Sequence, residues 1–143
     1  MTLKNNYYRM KILICESNPL LVQLMGKELM SEQNEVRLAW KSEEMTSQLT
    51  SFMPDILITE ALLPHMNGFD FIHNARLQFP NMMIVVVSPL SSDRLIELTF
   101  RLGADEFISK PLDPTQLNNH IQKAIRRKKN SFISNTIDYV TKI

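Results

Sequence analysis

Short, uninterrupted apolar runs recur along the chain, at residues 11–15 (Lys-Ile-Leu-Ile-Cys), 56–58 (Ile-Leu-Ile) and 82–87 (Met-Met-Ile-Val-Val-Val). Runs of this length without polar alternation predict strands buried on both faces, as in parallel sheets under helices. Weaker runs at 36–40 and 106–109 predict two more strands. Between them the apolar residues change to helical spacing: Leu20, Leu21, Leu24, Met25 and Leu29, then Met45, Leu49 and Phe52 at i, i+4, i+7. Pro19 suits the first turn of a helix capped by Ser17 or Asn18, and Ser42 is the expected cap of the second. Gly68 leads into a helix over about 69–78, with Pro80 just past its end. Ser91, Ser92 and Asp93 cap a fourth that Gly103 stops, and Asp113-Pro114 opens a last one to about residue 127.

Five strands alternating with five helices imply right-handed crossovers and a parallel sheet covered on both faces. The ends of those strands then gather Glu16, Glu60, Ser88 and Lys110 at one edge. Open α/β sheets place their ligands at that edge, so Glu60, on a turn built around Pro64 and Gly68, is the first candidate for chemistry.

The 143 residues fit one domain. Sixteen Lys and Arg against 15 Asp and Glu give a net charge of +1, so no global field favours nucleic acid or a membrane surface. Cys15 is the one cysteine, which excludes an intramolecular disulfide and a cysteine-cage zinc site; its apolar neighbours predict a buried thiol. No apolar run approaches the ~20 residues of a spanning helix. The expectation is a cytoplasmic chain with residues 1–10 as a leader.

Three stretches, each at strand ends and in this order, carry a resemblance: Lys-Ile-Leu-Ile-Cys-Glu-Ser-Asn-Pro from residue 11, Pro-Asp-Ile-Leu-Ile-Thr-Glu with Leu-Pro-His-Met-Asn-Gly from 54 to 68, and Gly-Ala-Asp-Glu-Phe-Ile-Ser-Lys-Pro-Leu from 103. Over residues 10–127 the chain resembles the receiver domain of two-component response regulators. The resemblance implies a flavodoxin-like (βα)5 three-layer sandwich with a five-stranded parallel sheet, here followed by a C-terminal helical extension. It also implies that Glu16 and Ser17 match an acid pair that helps hold Mg²⁺, and that Glu60 matches the aspartate that accepts a phosphoryl group. Ser88 and Lys110 match the hydroxyl and lysine that contact the phosphoryl oxygens, Phe107 matches a switch aromatic, and Lys110-Pro111 matches a bond often cis in the family.

Two departures bear on function. Glu60 is one methylene longer than aspartate, and ~1 Å of misplacement costs in-line transfer ~100-fold in rate. Ser17 removes a hard oxygen ligand and a negative charge from the metal pocket. The expectation is therefore a pseudo-receiver, with no cofactor and at most weak Mg²⁺ binding, that is not an enzyme. It would signal through protein contacts with a kinase-pathway component or an output domain. The family surface of fourth helix, fifth strand and fifth helix is the expected contact, a homodimer through it included; nucleic acid enters only through an output domain. Two readings of Glu60 stand side by side: an ion pair with Lys110 that partly imitates a phosphoryl group, or one that only neutralises a buried charge. A working phosphoacceptor that changes oligomeric state is the alternative. A flavodoxin-like enzyme ranks last, since no glycine-rich phosphate loop follows the first strand.

The remaining candidates have plainer readings. His65 has neither His73 nor His120 near it in sequence and is expected to face solvent. Pro89 restricts Ser88 to extended backbone or simply stiffens the loop. Phe107 is a switch or ordinary half-buried packing. The basic run Lys123, Arg126, Arg127, Lys128 and Lys129 suits a helix C-terminus. Beyond a receiver domain at 11–129, residues 130–143 carry Phe132, Ile133, Ile137, Val140 and Ile143 at partial helical spacing, as a helix extension, a dimer contact or a linker.

Overall fold

Alternate residues of each central strand face opposite sides, and both sides are apolar, so each strand can be buried only between two layers of helices. A computed structural model describes residues 9–90 and 92–141 in that arrangement, with the backbone alone for 132–141. The strands are β1 (Lys11–Cys15), β2 (Glu35–Ala39), β3 (Ile56–Glu60), β4 (Met83–Ser88) and β5 (Glu106–Ser109); the helices are α1 (Pro19–Met30), α2 (Ser42–Phe52), α3 (Gly68–Gln78), α4 (Asp93–Leu102) and α5 (Leu117–Thr141). The sheet is parallel throughout, in the order β2-β1-β3-β4-β5, with Ile14 beside Ile58, Ile58 beside Val85 and Val87 beside Ile108. Ile12, Ile14, Ile56, Ile58, Val85 and Val87 pack under Val22, Met25 and Leu29 of α1 and Leu117 and Ile121 of α5. Their neighbours Leu13, Cys15, Leu57, Ile84 and Val86 pack under α2 and α3 on the other side. The expected three-layer α/β sandwich, with its C-terminal helix, is the observed fold.

Local chemistry sets the ends of the helices. Asn18 accepts from the Leu20 and Leu21 amides, Ser92 from Leu95, and Asp113 from Thr115, so those caps stand. Gly103 ends α4 at φ 122°, a conformation open to glycine. Ser42 is not a cap: it lies inside α2, whose capping residue is Lys41, and its hydroxyl donates instead to the Pro64 carbonyl. That bond ties the start of α2 to the turn after Glu60. Asn67, read only as part of a turn, caps α3 by accepting from Phe69 and Asp70.

The turn itself is a two-residue antiparallel ribbon, Leu62–Leu63 against Met66–Asn67, with His65 exposed at φ 59°. Gly68 closes it because a Cβ there would sit 1.9 Å from the Ala61 carbonyl oxygen. A short 3-10 turn, Pro114–Gln116, precedes α5, which then runs unbroken past residue 129 to Thr141 rather than ending near 127. Residues 1–8 of the expected leader, Ser91, and the side chains of Phe132, Ile133, Ile137, Val140 and Ile143 lie outside the described residues. Among the described residues no helix is long and apolar enough to cross a membrane.

Candidate functional site

Parallel strands end at one edge of the sheet, so residues at the ends of β1, β3, β4 and β5 must converge there. Glu16 follows the last residue of β1, Glu60 and Ser88 are the last of β3 and β4, and Lys110 follows β5. Glu16 and Glu60 are each 3% exposed and Ser88 is wholly buried. From the β5 side, Lys110 crosses over β4 and places its ammonium 2.6 Å from Glu60 Oε2 and 2.7 Å from Glu16 Oε1. The sequence pointed to a Glu60–Lys110 pair; the structure adds Glu16, so two buried carboxylates share one cation.

Each oxygen of Glu60 is occupied, since Oε1 accepts from the Leu62 amide at 2.8 Å. Ser88 Oγ accepts from the Leu90 amide at 3.2 Å, and the Ser88 carbonyl accepts from the Lys110 amide at 3.0 Å. Pro89, exposed, brings no amide donor. The Lys110-Pro111 bond is cis. Burial pushes the Glu16 carboxyl up, with the charge of Glu60 adding to it, against the bond and charge of Lys110 that pull it down. Burial pulls Lys110 down, but its bonds and charges from Glu16 and Glu60 outweigh it and leave it above its ordinary value. Cys15, next to Glu16, is buried, which pushes its thiol far up and leaves it inert.

A divalent ion such as Mg²⁺ takes oxygen ligands, and this donor set does not fit one. The two nearest carboxylates already hold an ammonium, and Ser17, half-buried, offers a neutral hydroxyl. Among the described residues no group of three His, Cys, Asp or Glu could hold a metal. Phe107 is half-buried against the α2–α3 side of the core, and His65 faces solvent.

The opposite edge of the sheet carries a polar cluster that sequence spacing could not announce. Arg76 on α3 donates to the carbonyls of Gly103, Phe79, Pro80 and Met82 and pairs with Asp105 at 2.8 Å. Lys128 also reaches Asp105, at 3.3 Å.

The model of the response regulator receiver domain matches residues 12–122. The chain belongs to that family. Receiver domains are signalling modules of two-component systems rather than enzymes in the usual sense. The response regulator GtcR of Aneurinibacillus migulanus is 28% identical over 116 residues, covering 81% of this chain and 48% of that protein. The alkaline phosphatase synthesis transcriptional regulatory protein PhoP of Bacillus subtilis is 26% identical over 120 residues, covering 82% and 49%. The receiver thus spans about half the length of the curated relatives it matches. A CheY-like receiver domain protein from Methanospirillum hungatei superposes with a TM-score of 0.77 at 23% identity, covering 86% of this chain and 99% of that one, which shows the shared fold.

Proposed function

We propose that this receiver is a pseudo-receiver, signalling by protein contact without accepting a phosphoryl group. The observation that carries the reading is the Lys110 ammonium 2.6 Å from Glu60 Oε2, with the other Glu60 oxygen on the Leu62 amide. A phosphoacceptor must offer a carboxylate oxygen in line with the incoming phosphorus, and ~1 Å of misplacement costs ~100-fold. Here the longer side chain of Glu60 fills that space and bonds the cation meant for the phosphoryl oxygens.

On this reading Glu60 stands in the acceptor's place, Ser88 and Lys110 form the remains of the phosphate pocket, and Glu16 and Ser17 those of the metal pocket. Lys110 neutralises part of the charge that a metal would otherwise offset. Glu60 brings about −1 and two acceptor oxygens where a phosphoryl group brings roughly −1.5 to −2 and three. The ion pair therefore imitates an activated receiver only in part. Phe107 is the candidate to report the state of this edge to the surface of α4, β5 and α5. The division into a receiver at 11–129 and a following segment at 130–143 is part of the same proposal. The length of GtcR and PhoP, and the printed role of PhoP as a transcriptional regulatory protein, favour the regulatory part of a transcription regulator with a kinase-pathway or output-domain partner.

Amide NMR spectra of the full chain, recorded while Mg²⁺ and beryllofluoride are added, test this reading. The expected result is no saturable shift at Glu60, Ser88 or Lys110. A saturable shift there, with a change in oligomeric state, would establish a working phosphoacceptor instead.

A further inference from the structure

The edge of the sheet away from Glu60 is not flat. Between α5, the start of β3 and the segment joining α3 to β4 lies a groove of about 620 Å³. Cavities of roughly 300–1,000 Å³ are the size that holds a small molecule. The floor is apolar: Ile56, Met82 and Met83 are buried, and Met10, Phe79 and Ile125 are half-buried. The rim is polar, with Arg9, Asp55, Gln78, Asn81 and Lys129 all exposed. Among the described lining residues three cations, Arg9, Lys128 and Lys129, stand against one acid, Asp55. Asp55 already accepts from the Lys11 amide at 2.8 Å. Lys128 lies 3.3 Å from an Asp105 oxygen that Arg76 holds more closely, at 2.8 Å. Lys129 has a contact of its own, and among the described residues Arg9 has no ion-pair partner.

We propose that this groove binds a small amphipathic anion, its apolar body on the methionine floor and its charged head at the cationic rim. The inference goes beyond protein contact, and it holds whether or not Glu60 accepts a phosphoryl group. Shape, floor and charge each select this class of ligand. The apolar side chains are recessed below polar ones, so a slim molecule reaches them where a flat protein surface would not. Met10, Met82 and Met83 are unbranched and polarizable, and such side chains adapt to an alkyl or aromatic body. The excess of cations over acids sets the sign of the head, and a guanidinium forks readily onto an oxyanion. A second copy of this chain is a poor occupant, because a symmetric contact would bring the same cations together. An occupant touches α5, the start of β3 and the α3–β4 segment at once, so it would fasten α5 to the sheet.

Amide NMR titrations of the full chain with octanoate and with 1-octanol test the proposal, with sedimentation of the protein alone beside them. Octanoate is expected to give saturable shifts at Met10, Asn81, Met82 and Ile125, and none at Glu60, Ser88 or Lys110. It should bind about tenfold more tightly than octanol, the size of two or three exposed ion pairs, with the difference shrinking as salt rises. R9E with K129E should remove that preference, while K27E with K41E, the same charge change on exposed residues outside the groove, should keep it. Equal binding of the two compounds, equal loss in both double variants, or shifts that are centred elsewhere or do not saturate would each overturn the proposal. Self-association that R9E with K129E removes would overturn it too, by making the groove an interface between copies.

Discussion

The two edges of the sheet hold mirror-image charge clusters. At one, two carboxylates, Glu16 and Glu60, share the single ammonium of Lys110. At the other, two cations, Arg76 and Lys128, share the single carboxylate of Asp105. The surplus cation at the second edge is met by backbone: Arg76 takes up four carbonyls around the ends of α3 and α4 and the start of β4. The surplus carboxylate at the first has fewer fixed donors, the Leu62 amide being one. The lesson is that both clusters carry one surplus charge, but the surplus at Arg76 is met by fixed backbone carbonyls, whereas the surplus at Lys110 is met by fewer fixed donors.

Removing the shared cation should have the largest effect. Lys110→Met leaves two buried carboxylates facing each other, and breaking a buried pair in this way costs about 3–5 kcal/mol. Urea unfolding at neutral pH reads that loss directly. As pH falls, the freed carboxylates take up protons and much of the stability should return.

Arg76→Ala should cost somewhat less, about 2–3 kcal/mol, because several carbonyls lose a charged donor at once. Arg76→Lys should recover only part of this, since lysine lacks the planar fork that reaches them together. Carbonyls do not titrate and Lys128 still faces Asp105, so acid should rescue Arg76→Ala far less than Lys110→Met. Rescue of both variants, or of neither, would erase the contrast between the two edges.

The smallest effect lies in the pH profile of the unaltered chain. Lys110 sits above its ordinary value, so its contribution is fully present below about pH 10.4 and fades as pH rises through the higher folded value. Glu16 is also raised, so its contribution is fully present below about pH 4.3 and fades as pH climbs through its folded value. The stability difference between the unaltered chain and Lys110→Met should therefore be largest near neutrality and shrink toward both extremes. A difference independent of pH would mean that Lys110 acts by packing alone.

Much of this was legible in the residues, because strand burial is written in short contiguous runs. The runs 11–15, 56–58 and 82–87 are β1, the start of β3 and most of β4, and Glu16, Glu60 and Ser88, which follow those runs, lie at the expected edge. What spacing could not show were contacts between distant segments. Glu16 and Lys110 are 94 positions apart, and Arg76 meets carbonyls of Gly103 and Met82 that no side-chain pattern marks. Ser42 looked like a cap because serine before an apolar period usually is one. The Pro64 carbonyl, brought close by the turn after Glu60, took its hydroxyl instead. The ribbon at 62–67 was missed because two-residue strands fall below any periodicity, although Asn67, three residues before Asp70, signals a cap.

Whether the carboxylate of Glu60 accepts a phosphoryl group can be read directly from the mass of the protein. The chain is incubated with Mg²⁺ and acetyl phosphate, beside a variant carrying both Glu60→Asp and Ser17→Asp, and intact mass is measured for each. The account predicts no phosphoryl group on the unaltered chain and a detectable fraction on the variant, where the carboxylate is drawn back and the missing acid restored. A stoichiometric gain of one phosphoryl group on the unaltered chain, mapped to Glu60, would contradict it.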